Sequence, residues 1–339
     1  MTQDNQKRII TMAHGSGGKS SAELMAEIFG KHFKNETLDK LEDAAVVEVT
    51  SGTYSIAQIA VSTDSFVVSP LVFKGGDIGK LCVCGTVNDL LMMGAVPRYL
   101  TCGFILEEGL NIDLLDKIVE SMAIQAREAG VTIVAGDTKV VEGNGGMYIN
   151  TTGIGQIPKG RKVSSAGCKP GDVVICSGNL GDHHACILSH RMDIHNNIES
   201  DCAVLTDVVE GLFAEEIEVK AMRDVTRGGL GTILNEIAAS SGVRIELDEE
   251  SIPVSDEVKG FADILGLDPL YMGNEGKLIA VVPGDQAEKA LEAMKASEHG
   301  KNSAIIGRVL EGEGTFIKTR LGATRRLDVL YGEGLPRIC

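Results

Sequence analysis

The sequence predicts an α/β (α+β) chain of two mixed domains followed by a flexible tail. Strand-length apolar runs alternate with runs of helical periodicity in both halves. At 339 residues the chain is long for one hydrophobic core. A Pro/Gly/Lys/Arg-rich patch at 158–171 breaks the alternation and places a boundary near Gly160. The division is 1–159 for an N-terminal domain, 160–320 for a C-terminal domain and 321–339 for the tail.

Residues 13–20, Ala-His-Gly-Ser-Gly-Gly-Lys-Ser, form a Gly-rich loop. A helix follows over 21–32, with Leu24, Met25 and Ile28 on one face. Residues 46–49 and 55–62 read as strands, and the run holding Val67 and Val68 ends at Pro70. The stretch 78–94 is a buried helix crowded with small residues. The clearest helix is 112–129, where Ile112, Leu115, Ile118, Val119 and Met122 recur at three and four and Gly130 supplies a stop. Strands 131–135 and 147–155 complete the first half. The second half restarts with strand 172–176. Helices follow near His183 and over 206–213, 230–240 and 285–297, with strands at 278–282 and 303–310. From about Leu321 the periodicity fades, and the two glycines and one proline of the last eight residues rule out a stable helix.

Composition narrows the function. The hydrophobic share of 43% suits a folded globular protein and argues against disorder. A net charge of −16 repels a phosphate backbone, which excludes nucleic acid as a partner, but it leaves room for a nucleotide bound through magnesium. No segment approaches the roughly 18 apolar residues of a membrane span. Residues 1–8 are polar and lack the apolar centre of a signal peptide, so the expected location is the cytoplasm. The eight cysteines, with no C-x-x-C among them, read as reduced thiols rather than a zinc site.

The Gly-rich loop falls one residue short of the P-loop pattern, since Ala13 stands where the first glycine belongs, and the preceding residues make a poor buried strand. It is either a flexible loop or an anion cradle in which backbone N–H groups and Lys19 converge. Asp43, Asp64, Asp89 and Asp137 each sit at or inside an apolar run. Singly, each suits a cap or turn. As a set beside a Gly-rich loop they suggest one magnesium site, because a bare carboxylate is costly to bury and magnesium takes oxygen ligands. In Arg223-Asp224-Val225-Thr226-Arg227-Gly228-Gly229, Asp224 or Thr226 could cap the next helix, or the paired glycines could make a second anion-binding end. Glu275, in Gly273-Asn274-Glu275-Gly276, belongs either to an ordinary turn or to a cleft where burial raises its proton affinity toward that of a general base. Adjacent His183 and His184 diverge on a helix and have no evident third ligand, so zinc is not expected there. Cys339 is a chance terminal residue or a thiol with a chemical use; a free thiol at a chain end oxidises easily and suits carrying a group.

These segments resemble the aminoimidazole ribonucleotide synthetase (PurM)-like superfamily. The matching pieces are His-Gly-Ser-Gly-Gly-Lys, Glu-Asp-Ala-Ala-Val, Ser-Thr-Asp-Ser, Val-Asn-Asp-Leu-Leu-Met-Met-Gly-Ala, Gly-Asp-Thr-Lys-Val-Val, Asp-Val-Thr-Arg-Gly-Gly-Leu and Gly-Asn-Glu-Gly. They follow the family's order over nearly the whole chain, and the final Pro-Arg-Ile-Cys resembles the ending of its hydrogenase-maturation branch. The resemblance implies two PurM-like domains and a homodimer joined through N-terminal sheets. It implies ATP held between those domains, with Gly15, Ser16, Gly17, Gly18, Lys19 and Lys139 facing phosphates and magnesium on Asp43, Asp64, Asp89 and Asp137. It implies that the carbamoyltransferase HypF loads a carboxamide on Cys339. The chain then dehydrates it with ATP to a thiocyanate, Glu275 serving as base. The cyanide passes to iron on the HypC–HypD scaffold for a [NiFe]-hydrogenase. Two rival readings are a different ATP-dependent enzyme of the superfamily, such as a small-molecule kinase or a selenophosphate synthetase, and a scaffold without enzymatic activity.

Overall fold

Residues 10–15, 18–30, 32, 35–51 and 54–330 are described by the computed structural model. After the Gly-rich loop the chain forms α1 (Lys19–Leu24), which widens into a π-helical turn over Met25–Gly30. The helix expected over 21–32 is thus α-helical only at its start. Met25 and Ile28 stay exposed, because no other element among the described residues covers that face.

The first sheet is built from β1 (Ala45–Ser51), β2 (Tyr54–Phe66), β5 (Val96–Glu107), β6 (Thr132–Val141) and β7 (Met147–Gln156), in the order β1-β2-β7-β5-β6. Between β2 and β5 lie a small hairpin, β3 (Val72–Phe73) and β4 (Gly76–Asp77), and the helix α2 (Ile78–Met92). Asp77 caps α2 by accepting from Gly79 N and Lys80 N, satisfying two of the helix's free donors. α3 (Ile112–Glu128) is capped by Asn111 and crosses over to make β5 and β6 parallel; the other pairings in this sheet are antiparallel.

α2 is buried on nearly every side, and its glycines explain how. A Cβ on Gly79 would stand 2.2 Å from the Ile118 carbonyl oxygen of α3. One on Gly85 would stand 2.8 Å from the Phe66 ring. Small residues therefore let α2 lie close to both α3 and the sheet. The opposite face of the sheet carries Ile105, Val141 and Tyr148, all exposed.

The second half contains β8 (Asp172–Cys176), α4 (Asp182–Arg191), α5 (Thr206–Ala214), β9 (Ala221–Asp224), α6 (Gly229–Ser241), β10 (Arg244–Asp248), α7 (Asp256–Leu265), β11 (Leu278–Pro283), α8 (Ala287–Ala296), β12 (Ala304–Leu310), β13 (Gly314–Lys318) and β14 (Thr324–Arg326). Its seven-stranded sheet runs β14-β13-β10-β12-β8-β11-β9. β8 and β11, the strands richest in Val and Ile, lie side by side between β12 and the edge strand β9 and are almost fully buried. One core joins α2 and α3 to α5 and α8 across the two halves, and a second lies beneath α6.

Two differences from the sequence reading bear on the site. β2 and β6 run several residues past their expected ends, so Asp64, Asp137 and Lys139 lie within strands. The chain also stays attached well beyond Leu321. β14 pairs with β13, Leu327 is wholly buried, Asn235 Nδ2 donates to Leu327 O at 2.8 Å, and the Tyr271 hydroxyl donates to Asp328 O at 2.6 Å. Farther on, Lys19 N donates to Leu330 O at 3.4 Å, bringing the Gly-rich loop to the root of the tail. Residues 331–339 lie outside the described residues.

Candidate active site

On β2, alternate side chains face α2 (Ile78–Met92). Ser62 Oγ donates to Asp89 Oδ2 of that helix, and Asp64 Oδ2 lies 3.8 Å from where a Gly85 Cβ would stand. Asp89 therefore looks from a buried helix toward β2 rather than into solvent. Asp43, in the loop before β1, and Asp224, at the end of β9, close two further sides, and Glu275 enters from the loop before β11. Together with Thr226 and Arg227 they line a cleft of about 270 Å³ between the two halves. At Asp43, Ser62 and Thr63 it meets a larger cavity of about 910 Å³ whose wall carries Lys40, Lys162, Lys169 and Lys220.

The cleft is strongly acidic, and its Asp224 and Glu275 side chains are buried. Burial pushes the Asp89 carboxyl well above the usual carboxylate range, and Asp224, Asp64 and Asp43 push it the same way. Burial raises Asp224 to about 6 against the pull of Arg223, with Asp64 adding repulsion. Burial raises Asp64 against Arg227. Asp43 is also raised by burial, although Arg223 Nε lies 2.6 Å from its Oδ1; its Oδ2 is buried without a hydrogen-bond partner. Glu275, only 4% exposed, is held well above its ordinary value by burial and by Cys202, Asp224, Asp201 and Asp64. Like charges confined in this way favour a bound cation.

Asp137 and Lys139 lie elsewhere. The strand register aligns Asp137 with Gly103, Asn150 and Ser65, one row from Asp64, Thr151, Cys102 and Gly136. Neighbouring rows of a pleated sheet face opposite sides, so Asp137 is on the open face while Asp64 faces α2. Its carboxylate is exposed, pairs with Lys139 Nζ at 2.5 Å and is lowered by that contact. Within one chain the structure gathers Asp43, Asp64 and Asp89, adds Asp224 and Glu275, and leaves Asp137 apart. Among the described residues, no three carboxylate, imidazole or thiol side chains already stand as a metal-binding group.

In the Gly-rich loop, Gly15 ends a short 3-10 turn, Gly18 precedes α1 in extended backbone, and Lys19 lies 3.9 Å from Glu23. Ser16, Gly17 and Cys339 lie outside the described residues. Asp224 and Thr226 do not cap α6 (Gly229–Ser241). Its N-cap is Gly228 at φ +82°, with no side-chain cap, because β9 carries Asp224 into the cleft first. His183 Nδ1 stands 2.7 Å from Ser200 Oγ, and His184 Nδ1 accepts from Gly273 N at 3.4 Å; both rings are buried. The seven cysteines among the described residues are free and buried.

Comparison with known proteins sets this geometry in a family. The N-terminal domain of AIR synthase related proteins matches residues 41–157, and their C-terminal domain matches 169–319. Carbamoyl dehydratase HypE of Azotobacter vinelandii is 48% identical over 336 residues, covering 97% of each chain. The chain belongs to the carbamoyl dehydratase HypE family. A crystal structure of HypE in complex with ATP aligns at a TM-score of 0.80 with 45% identity, covering 98% of this chain and 100% of that one. HypE in a crystal structure of a HypE–HypF complex aligns at a TM-score of 0.85 with 47% identity, covering 91% and 99%. The family membership accounts for the two sheets and for the order of the motifs along them.

Sequence reasoning did not assign Ser62, the Arg223–Asp43 ion pair or Asp201 to the site. The one available signal was the short alternation Ala-Met-Arg-Asp of β9, too brief to mark a strand.

Proposed function

We propose that this chain is an ATP-dependent carbamoyl dehydratase that converts a carboxamide on the sulfur of Cys339 into a thiocyanate. The observation that carries the reading is an acidic cleft in which a buried Glu275 shares walls with Asp43, Asp64 and Asp89. The carboxamide oxygen attacks the γ-phosphorus of ATP, the bond to ADP breaks, and one N–H proton passes to Glu275. Breaking the C–O bond then releases phosphate, the second N–H proton passes to that phosphate, and the C≡N bond forms. Phosphorylation turns a poor leaving group into a good one. A carboxylate with raised proton affinity takes the first proton more readily than a free one. Water would compete for the phosphoryl group, so the bound substrates have to fill the cleft during the step.

The residues fit magnesium: Asp43 Oδ2 is buried without a partner, and the neighbouring carboxylates repel one another. Asp43, Asp64 and Asp89, with Asp224, would hold it. Magnesium usually takes only one or two protein carboxylates and completes its shell with phosphates and water, so no preformed cage is required. When bound, it supplies positive charge to the triphosphate.

Asp137 and Lys139 would reach a nucleotide across a homodimer formed through the open sheet faces. The exposed Ile105, Val141 and Tyr148 on that face support the pairing. The domains are taken as 1–159 and 160–320 as the sequence divides them, with β14, Leu327 and Asp328 of the 321–339 segment packed on the second. HypF would load Cys339, the HypC–HypD iron scaffold would take the cyanide, and the cytoplasm would supply ATP and keep the thiol reduced. Gly15, Ser16, Gly17, Gly18 and Lys19 would close over the phosphates.

The test is the mass of the C-terminal peptide after incubation with HypF, carbamoyl phosphate and ATP. A carbamoylated Cys339 that loses one water supports the reading. An unmodified tail accompanied by turnover of a free metabolite supports a kinase of the same fold, and no ATP turnover at all supports a scaffold.

A further inference from the structure

The Glu275 backbone is held from both ends. Its own N–H donates to Asp201 Oδ1 at 3.1 Å, and the next N–H, of Gly276, donates to Asp201 Oδ2 at 3.2 Å. One carboxylate thus spans the two peptide groups that flank the Glu275 Cα, fixing the direction of its Cα–Cβ bond. Asp201 is itself pinned: its side chain is 4% exposed, and Lys277 Nζ lies 3.1 Å from Oδ2 while donating to Gly276 O at 3.1 Å. Gly276 is required for the approach, since a Cβ there would stand 1.9 Å from Asp201 O.

The other end of the loop is tied to α4 (Asp182–Arg191). Asn274 Oδ1 accepts from Gly181 N at 2.7 Å, and His184 N donates to Gly273 O at 3.2 Å. The Gly-Asp-His-His segment, whose adjacent histidines suggested a metal only at first sight, thus anchors this loop. The segment carrying Asp201 is fastened to α2 by Asn88, which donates to Ala203 O at 3.0 Å and accepts from Leu205 N at 2.9 Å. Asn88 directly precedes Asp89, so this anchor links the place of Glu275 to that of the acidic cleft.

We propose that Asp201 is the positioning residue of the dehydration: pinned by Lys277, it grips both peptide N–H groups around Glu275 and sets where that carboxyl stands. This rests on Glu275 acting as the base. Asp201 does not touch the reacting atoms; it acts through Glu275 alone. Asn at this position keeps the volume but offers one acceptor oxygen in place of two, which frees one of the flanking N–H groups. Misplacement of a catalytic group by about 1 Å costs on the order of 10²-fold in rate.

The experiment uses the full chain with Cys339 carbamoylated, and measures single-turnover thiocyanate formation and magnesium–ATP affinity. Asp201→Asn is expected to slow the step on the order of 10²-fold with ATP affinity unchanged. In a Glu275→Gln background it is expected to cause no further loss, because the two act as a unit. Lys277→Arg, which keeps the pin, is expected to retain the rate. If Asp201→Asn does not fold, Lys277→Gln decides: a slower step with unchanged ATP affinity supports the proposal, and a full rate overturns it. A normal rate in Asp201→Asn, an equal loss in both backgrounds, or a parallel loss of ATP affinity overturns it as well. If Glu275→Gln itself turns over normally, the base assignment fails and this proposal fails with it. A slow Glu275→Gln beside a normal Asp201→Asn removes the proposal alone.

Discussion

Replacing Asp224 by Asn should stabilise the metal-free protein while impairing its use of ATP. Asp224 is 6% exposed, and its carboxyl rises from 3.8 to about 6, through burial first and then repulsion from Asp64, against the pull of Arg223. A raised folded-state value means that the fold prefers the protonated form. The cost is therefore absent below 3.8, grows as the pH climbs from 3.8 to about 6, and is complete above that. At about 1.4 kcal/mol per unit, the charge costs roughly 3 kcal/mol at neutral pH, an upper bound on what Asn can recover. For domains of this size that corresponds to a rise in Tm of up to about 10 °C. The assay is thermal unfolding with a chelator present, at neutral pH and again as the pH falls toward 3.8, where the advantage should vanish. Magnesium–ATP should raise the Tm of the natural protein by mass action and that of the variant much less. A variant no more stable at neutral pH, or an advantage that persists in acid, would refute the reasoning.

Glu275→Gln should leave magnesium–ATP binding intact by calorimetry and slow thiocyanate formation by about 10²- to 10⁴-fold, the usual scale for loss of a general base. Ile105→Asp, on the open face of the first sheet, should shift sedimentation from dimer to monomer and weaken ATP binding with it; a dimer that persists would move the interface elsewhere. Gly276→Ala should lower stability by at least about 3 kcal/mol, read as a fall in Tm, because its Cβ would be driven against the Asp201 backbone.

The elements legible in the sequence were those whose periodicity runs for many residues. α3 was readable from Ile112 to Gly130, and β8 and β11 from short continuous apolar runs. β9, β10, β13 and β14 were not, since three to five residues carry too little alternation to be told from a loop. The same limit hid the docking of Leu327, one of only three apolar residues in Arg325-Arg326-Leu327-Asp328-Val329-Leu330. In the site, Asp43, Asp64 and Asp89 were legible because a carboxylate inside an apolar run is conspicuous. The separation of Asp137 was not, because it depends on which strands pair and in what register. Asp201 carries no local signal: its role arises from a loop more than seventy residues away in sequence.

The hydrogen bond from Lys19 to the Leu330 carbonyl sets the length of a tether. Nine residues, 331–339, separate that anchor from the sulfur of Cys339. At full extension that length of chain reaches at most about 30 Å, which bounds the distance of the sulfur from Leu330. Any protein that loads or unloads the carried group must dock within that radius, so delivery is set by where partners land on the enzyme.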